Sequence, residues 1–137
     1  MEKVLGIGGL FFRARDPDAL ARWYAEQLGI TLTPANYDEQ PWYQAAGPTA
    51  FAPFPDMTDY FGARDRVWMV NFRVRDLADM VAQLRAAGIE VEVDSEVYPN
   101  RRFARLYDPE GNPIELWEPQ GRQTDAVKDD SELETER

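Results

Sequence analysis

The chain combines two hydrophobic periodicities, one of two residues and one of about 3.6 residues, which are typical of strands and helices respectively. The period of about 3.6 residues follows Asp16, where it includes Leu20 and Tyr24, and it appears a second time after Asp76. It predicts one helix at each place. The shorter period predicts strands at about 6–15, 30–33, 41–45 and 49–54, then at about 67–75, 89–94, 102–107 and 113–118. The predicted order is therefore βαβββ, twice.

The predicted helices have matching ends. Asp16 and Asp76 occupy N-cap positions, and Pro17 suits the first helical turn. Gly29 and Gly88 suit the residue after each helix, where a left-handed backbone costs glycine little.

The first predicted strand is repeated later in the chain. Segment 9–16 resembles segment 69–76, at an offset of 60 residues. The identical pairs are Phe12 and Phe72, Arg13 and Arg73, Arg15 and Arg75, and Asp16 and Asp76. A repeat that includes a strand and its helix cap indicates two modules of one architecture.

These patterns predict a single domain over residues 1–121. Its modules span about 4–54 and 67–119, and the proline- and glycine-containing segment 55–66 links them. Residues 122–137 are acidic and almost free of apolar side chains, so we expect a disordered tail there.

Composition excludes much chemistry. The 137 residues include no cysteine and no histidine, so thiolate nucleophiles, imidazole bases and Cys- or His-ligated metals are excluded. The only lysines are Lys3 and Lys128, which makes a Schiff-base lysine a poor hypothesis. Any function must use carboxylates, arginines, aromatic side chains and the backbone.

The formal net charge is −10, which argues against nucleic acid as a partner because phosphate binding needs a basic surface. No apolar run reaches the roughly 18 residues that a membrane span requires. The N-terminus also lacks the basic and apolar regions of a signal peptide. We therefore expect a cytoplasmic protein that binds neither nucleic acid nor membrane.

The repeat and the run Asp108–Leu116, with sequence DPEGNPIEL, resemble the vicinal oxygen chelate superfamily. That superfamily includes glyoxalase I, extradiol dioxygenases, fosfomycin-resistance transferases and bleomycin-resistance proteins. The resemblance covers about residues 4–120. It implies an α+β fold in which two tandem βαβββ modules form a cupped, barrel-like mixed sheet with helices outside. It also implies a homodimer.

Enzymes of this superfamily hold a divalent metal with four side chains from the strands, and the resemblance assigns those positions to Gly9, Phe51, Met69 and Glu115. Glycine and phenylalanine offer no donor atom, and a thioether is a poor ligand for such ions. One carboxylate is too few for a metal site. We therefore expect no metal and no cofactor.

Residues in phase with the metal positions should face the cup, because strand side chains alternate. The predicted ligand-binding set is Phe11, Arg13, Phe51, Met69, Asn71, Arg73, Phe103, Arg105, Glu115 and Trp117. Glu115 is also the candidate catalytic residue. A carboxylate between Ile114 and Leu116 either contacts a ligand or forms a structural ion pair with Arg73 or Arg105.

Aromatic side chains concentrate near the linker. They are Trp42, Tyr43, Phe54, Tyr60 and Phe61. They either close the mouth of the cup or pack one module against the other or against a second subunit.

Three functions remain open from sequence. The first is metal-free binding of a small aromatic or amphipathic molecule in the cup, as in bleomycin-resistance proteins. The second is a lyase, isomerase or dioxygenase that uses Glu115 as an acid or base, or a metal relocated to carboxylates such as Asp38, Glu39 or Asp56. The third is a non-catalytic interaction module whose cup is filled by its own side chains.

Overall fold

The computed structural model of the chain describes residues 1–32, 34–94 and 101–119. The helices are α1 (Pro17–Leu28) and α2 (Leu77–Ala86), and the strands are β1 (Val70–Arg73), β2 (Glu92–Val93), β3 (Arg101–Tyr107) and β4 (Pro113–Pro119). The α+β prediction is confirmed. The tail predicted at 122–137 lies outside the described residues.

The four strands form one mixed sheet in the order β1-β4-β3-β2. Strand β1 is parallel to β4, whereas β3 is antiparallel to both β4 and β2. Together with α2 they make a complete βαβββ unit within the predicted second module. The sheet is open, so the described residues do not close the predicted barrel.

The strands predicted in the first module are wrong where the structure describes them. Of the described residues before β1, only α1 has regular secondary structure, and predicted strands 6–15, 41–45 and 49–54 have no ladder partner. The same holds for 30–32. A strand needs neighbouring backbone groups to pair with, and an alternating sequence does not supply them. Phe11 and Phe51 consequently remain 93% and 87% exposed.

One face of the sheet carries the core. Leu106 of β3 and Ile114 and Leu116 of β4 are at most 3% exposed, and Leu77 and Leu84 of α2 cover them. Helix α1 adds two buried side chains, Leu20 and Tyr24, to the same cluster. Both helices therefore bury their apolar stripes on one face, which leaves the opposite face of the sheet free of helices.

Each helix begins as the sequence predicts. The Asp16 carboxylate accepts a hydrogen bond from the Ala19 backbone N–H at 3.1 Å. The Asp76 carboxylate accepts one from the Asp79 backbone N–H at 3.0 Å. Helix α1 ends at Gly29, whose φ of 74° lies in the left-handed region. No helix in the described part of the chain is both long and apolar enough to cross a membrane.

Candidate functional site

The sheet face away from the helices, here called the open face, presents two rows of side chains. Strand register places residues side by side across β1, β4, β3 and β2, and cross-strand partners point to the same face. The first row is Asn71, Glu115, Arg105 and Glu92. The second row is Arg73, Trp117 and Phe103, and Asp94 lies beside Phe103, to whose carbonyl its N–H donates.

Glu115 is the centre of the first row. Its Oε2 accepts a hydrogen bond from the Tyr60 hydroxyl at 2.6 Å, and its Oε1 accepts one from Asn71 Nδ2 at 2.7 Å. Of the two roles left open for Glu115, the structural ion pair with Arg73 or Arg105 does not form, because within the described residues no arginine lies within ion-pair distance of its carboxylate. The carboxylate is half-buried rather than fully enclosed, so two neutral donors and solvent can satisfy it.

Arg105 reaches the same cluster through Tyr60. Its guanidinium carbon lies 4.2 Å from the centre of the Tyr60 ring, and its Nη2 donates to the Tyr60 carbonyl. This combines a cation–π contact with a hydrogen bond to the backbone. Arg105 therefore holds the tyrosine whose hydroxyl holds Glu115.

The Tyr60 hydroxyl stays protonated well above neutral pH. Burial, the hydrogen bond to Glu115 and the negative charge of that carboxylate raise the pKa of Tyr60, and the positive charge of Arg105 only partly opposes them. Tyr60 is therefore a fixed hydrogen-bond donor to Glu115. Phe54 stacks on its ring with centroids 6.1 Å apart.

The second row is an aromatic surface with a cation at one end. The Phe103 and Trp117 rings are nearly parallel, at 10°, with centroids 6.4 Å apart. Arg73 is the register partner of Trp117 on β1, and its Nη2 donates to the Ala45 carbonyl at 2.9 Å. Gly47 is also close, because a Cβ at that position would collide with the Arg73 guanidinium.

The structure brings together part of the predicted set. Asn71, Arg73, Phe103, Arg105, Glu115 and Trp117 lie on the open face. Their contact with a ligand stays a prediction. Phe11, Arg13 and Phe51 belong to exposed segments of the first module, outside the strand rows. Met69 lines a groove of about 450 Å³ formed largely by linker residues.

Tyr60 is the residue at the site that sequence reasoning did not assign. Tyr60 lies in the linker, 55 residues before Glu115. Its membership of the aromatic cluster near the linker is the one sequence signal that could have identified it as a site residue. The contact joins the linker to the open face of the second module.

Comparison with known proteins agrees with this architecture. Residues 9–117 match the sequence profile of the glyoxalase-like domain family. The chain belongs to that family. The resemblance seen in the sequence is confirmed, and the complete βαβββ unit at 70–119 lies almost wholly within the matched region.

Solved structures are also similar to the chain. A glyoxalase family protein from Bacillus anthracis is 21% identical, with 74% of this chain and 84% of that chain covered and a TM-score of 0.46. TnmS3, an antibiotic-binding protein from Streptomyces sp. CB03234, is 25% identical, with 77% and 88% covered and a TM-score of 0.48. No curated protein matches the chain.

The metal positions of glyoxalase-like enzymes do not fit a metal in this chain. Gly9 has no side chain, Phe51 has no donor atom and Met69 offers only a thioether. Both oxygens of the remaining ligand, Glu115, accept hydrogen bonds from Tyr60 and Asn71. Among the described residues, no three acidic side chains, those of Asp38, Glu39 and Asp56 included, come close enough to hold a relocated ion.

Proposed function

We propose that this glyoxalase-like chain binds a small aromatic or amphipathic molecule on the open face, without a metal at the family's ligand positions. The observation that supports this most is the second row, where Phe103 and Trp117 form a parallel aromatic surface beside the polar cluster around Glu115. Apolar walls with a few oriented polar groups are typical of small-molecule sites.

The two rings are partly accessible to solvent. Phe103, Arg105, Glu115 and Trp117 are all partly exposed, in contrast to the core side chains on the other face of the same strands. The described residues therefore do not fill the open face, which favours binding over a packed interaction module. A flat ligand that covers these rings gains hydrophobic and stacking free energy.

Calorimetric titration with 2-naphthamide tests the proposal. We expect saturable binding that EDTA leaves unchanged, because the metal positions supply only Glu115. Phe103→Leu should weaken binding about 2- to 13-fold, which corresponds to loss of one aromatic contact of about 0.5–1.5 kcal/mol.

Phe51→Leu is the matched control, because the same change is made at a ring that is 87% exposed. It should leave the affinity unchanged. Equal weakening by both variants, or abolition of binding by EDTA, would contradict the proposal, as would the absence of any saturable heat.

A further inference from the structure

Resting on the proposed function, we infer that the site selects aromatic carboxylates, whose carboxylate binds Arg73 while the ring covers Trp117 and Phe103. The three side chains are consecutive in the second row. A planar acid with its charge at one end matches that order of cation, indole and phenyl ring.

Arg73 has capacity for an anion. It is half-buried, and within the described residues no carboxylate lies within ion-pair distance of it. Its hydrogen bond goes to the neutral Ala45 carbonyl. A guanidinium has five N–H donors and binds a carboxylate through two parallel hydrogen bonds. A ligand carboxylate would therefore replace or join the Ala45 carbonyl with a stronger interaction.

Trp117 provides the second, independent observation. Its indole Nε1 is buried and has no hydrogen-bond acceptor among the described residues. A buried N–H without an acceptor destabilises the state that contains it. Arg73 and Trp117 are adjacent in register, about 4.8 Å apart at the backbone. A carboxylate bound to Arg73 would therefore lie beside the indole, and one of its oxygens would accept from Nε1 once the side chains that bury that atom move aside.

The charges on the open face support this orientation. Its acids are Glu115, Glu92 and Asp94. Glu92 and Asp94 belong to or follow β2, three strand spacings or about 14 Å from β1. That exceeds the Debye length of about 8 Å at physiological salt. Glu115 is nearer, but the positive charge of Arg105, its register partner on β3, offsets it. The β1 edge is therefore the anion-attracting end.

Three probes that share a naphthalene ring and differ in charge test the inference: 2-naphthoate, 2-naphthamide and 2-naphthylmethylammonium. Calorimetry on the full chain should give an affinity for naphthoate at least about 10-fold above that for the neutral amide, with the cation weakest. Arg73→Met should reduce the naphthoate affinity to that of the amide and leave the amide unchanged. Trp117→Phe, which removes the N–H and keeps an aromatic ring, should weaken naphthoate more than the amide.

Arg22→Met is the matched control, because it removes the same charge at an exposed arginine of α1, on the helix side of the sheet. It should change none of the three affinities. If all three probes bind the wild type equally, or the cation binds best, the inference fails and the proposed function stands. If none binds, both fail. Because these comparisons use the wild type, they decide the question even where a variant does not fold.

Discussion

Two tyrosine–carboxylate pairs lie on opposite sides of the sheet and differ in almost everything except their chemistry. On the helix side, the Tyr24 hydroxyl donates to Asp108 Oδ2 at 2.6 Å. On the open face, the Tyr60 hydroxyl donates to Glu115 Oε2, also at 2.6 Å. In both pairs the tyrosine precedes β1 and the carboxylate belongs to the second module.

The pairs differ in how far the carboxylate is satisfied. Asp108 is 4% exposed and also accepts hydrogen bonds from the Glu110 N–H and from the backbone and side-chain N–H groups of Asn112. Glu115 has two donors and partial exposure. Asp108 is buried and its oxygens accept four hydrogen bonds, so it fixes the turn between β3 and β4. Glu115 accepts two, so its oxygens can still accept a hydrogen bond from a ligand.

The largest expected effect is therefore that of Asp108→Asn. Each carboxylate oxygen accepts two hydrogen bonds, so whichever one the amide N–H₂ group replaces, two donors lose their acceptor. We expect the free energy of unfolding to fall by about 3–5 kcal/mol, measured by urea denaturation. Asp56→Asn, at an exposed position, should change it by less than about 0.5 kcal/mol. Similar losses in both variants would contradict a structural role for the buried pair.

Tyr24→Phe should have the next largest effect. It removes one of the four donors to Asp108 and keeps the ring in the core, so we expect a loss of about 1.5–3 kcal/mol. Urea denaturation again measures it, with Tyr37→Phe at a fully exposed position as the control. A loss no larger than that of the control would mean that water replaces the hydroxyl without cost.

The features that the sequence predicted correctly depend on neighbouring residues. The cap at Asp16 involves a partner three residues away. The alternation of Ile114 and Leu116 with Glu115 and Trp117 assigns the two faces of β4 from the sequence alone. Local spacing was sufficient in both cases, because the geometry of a single helix determines its cap and the geometry of a single strand determines which side chains share a face.

The features that it missed depend on distant residues. Tyr60 and Glu115 are 55 positions apart, and nothing in either segment identifies the other. A ligand or an arginine was considered as the partner of Glu115, the arginine because charge pairing is the simplest way to satisfy a buried carboxylate. Because Glu115 is partly exposed, the neutral donors Tyr60 and Asn71 together with solvent can satisfy its carboxylate without a cation. The first-module strands failed for a related reason, because a strand also depends on a partner outside its own segment.

The smallest effect on stability should come from Tyr60→Phe, about 0.5–1 kcal/mol near neutral pH, because solvent reaches the Glu115 carboxylate. The effect of Tyr60→Phe on stability should also depend on pH. Burial and the hydrogen bond to Glu115 raise the pKa of Tyr60 above its ordinary value of 10.0, so the folded chain holds this proton more tightly than the unfolded chain. The resulting stabilisation is complete below about pH 10 and is lost as the pH rises toward the folded pKa. Tyr60→Phe should therefore lose less stability than the wild type when denaturation is repeated from pH 9 to pH 11.5. Parallel pH profiles for the two proteins would show that the hydroxyl ionises as freely as that of an exposed tyrosine, and that the hydrogen bond to Glu115 does not persist in solution.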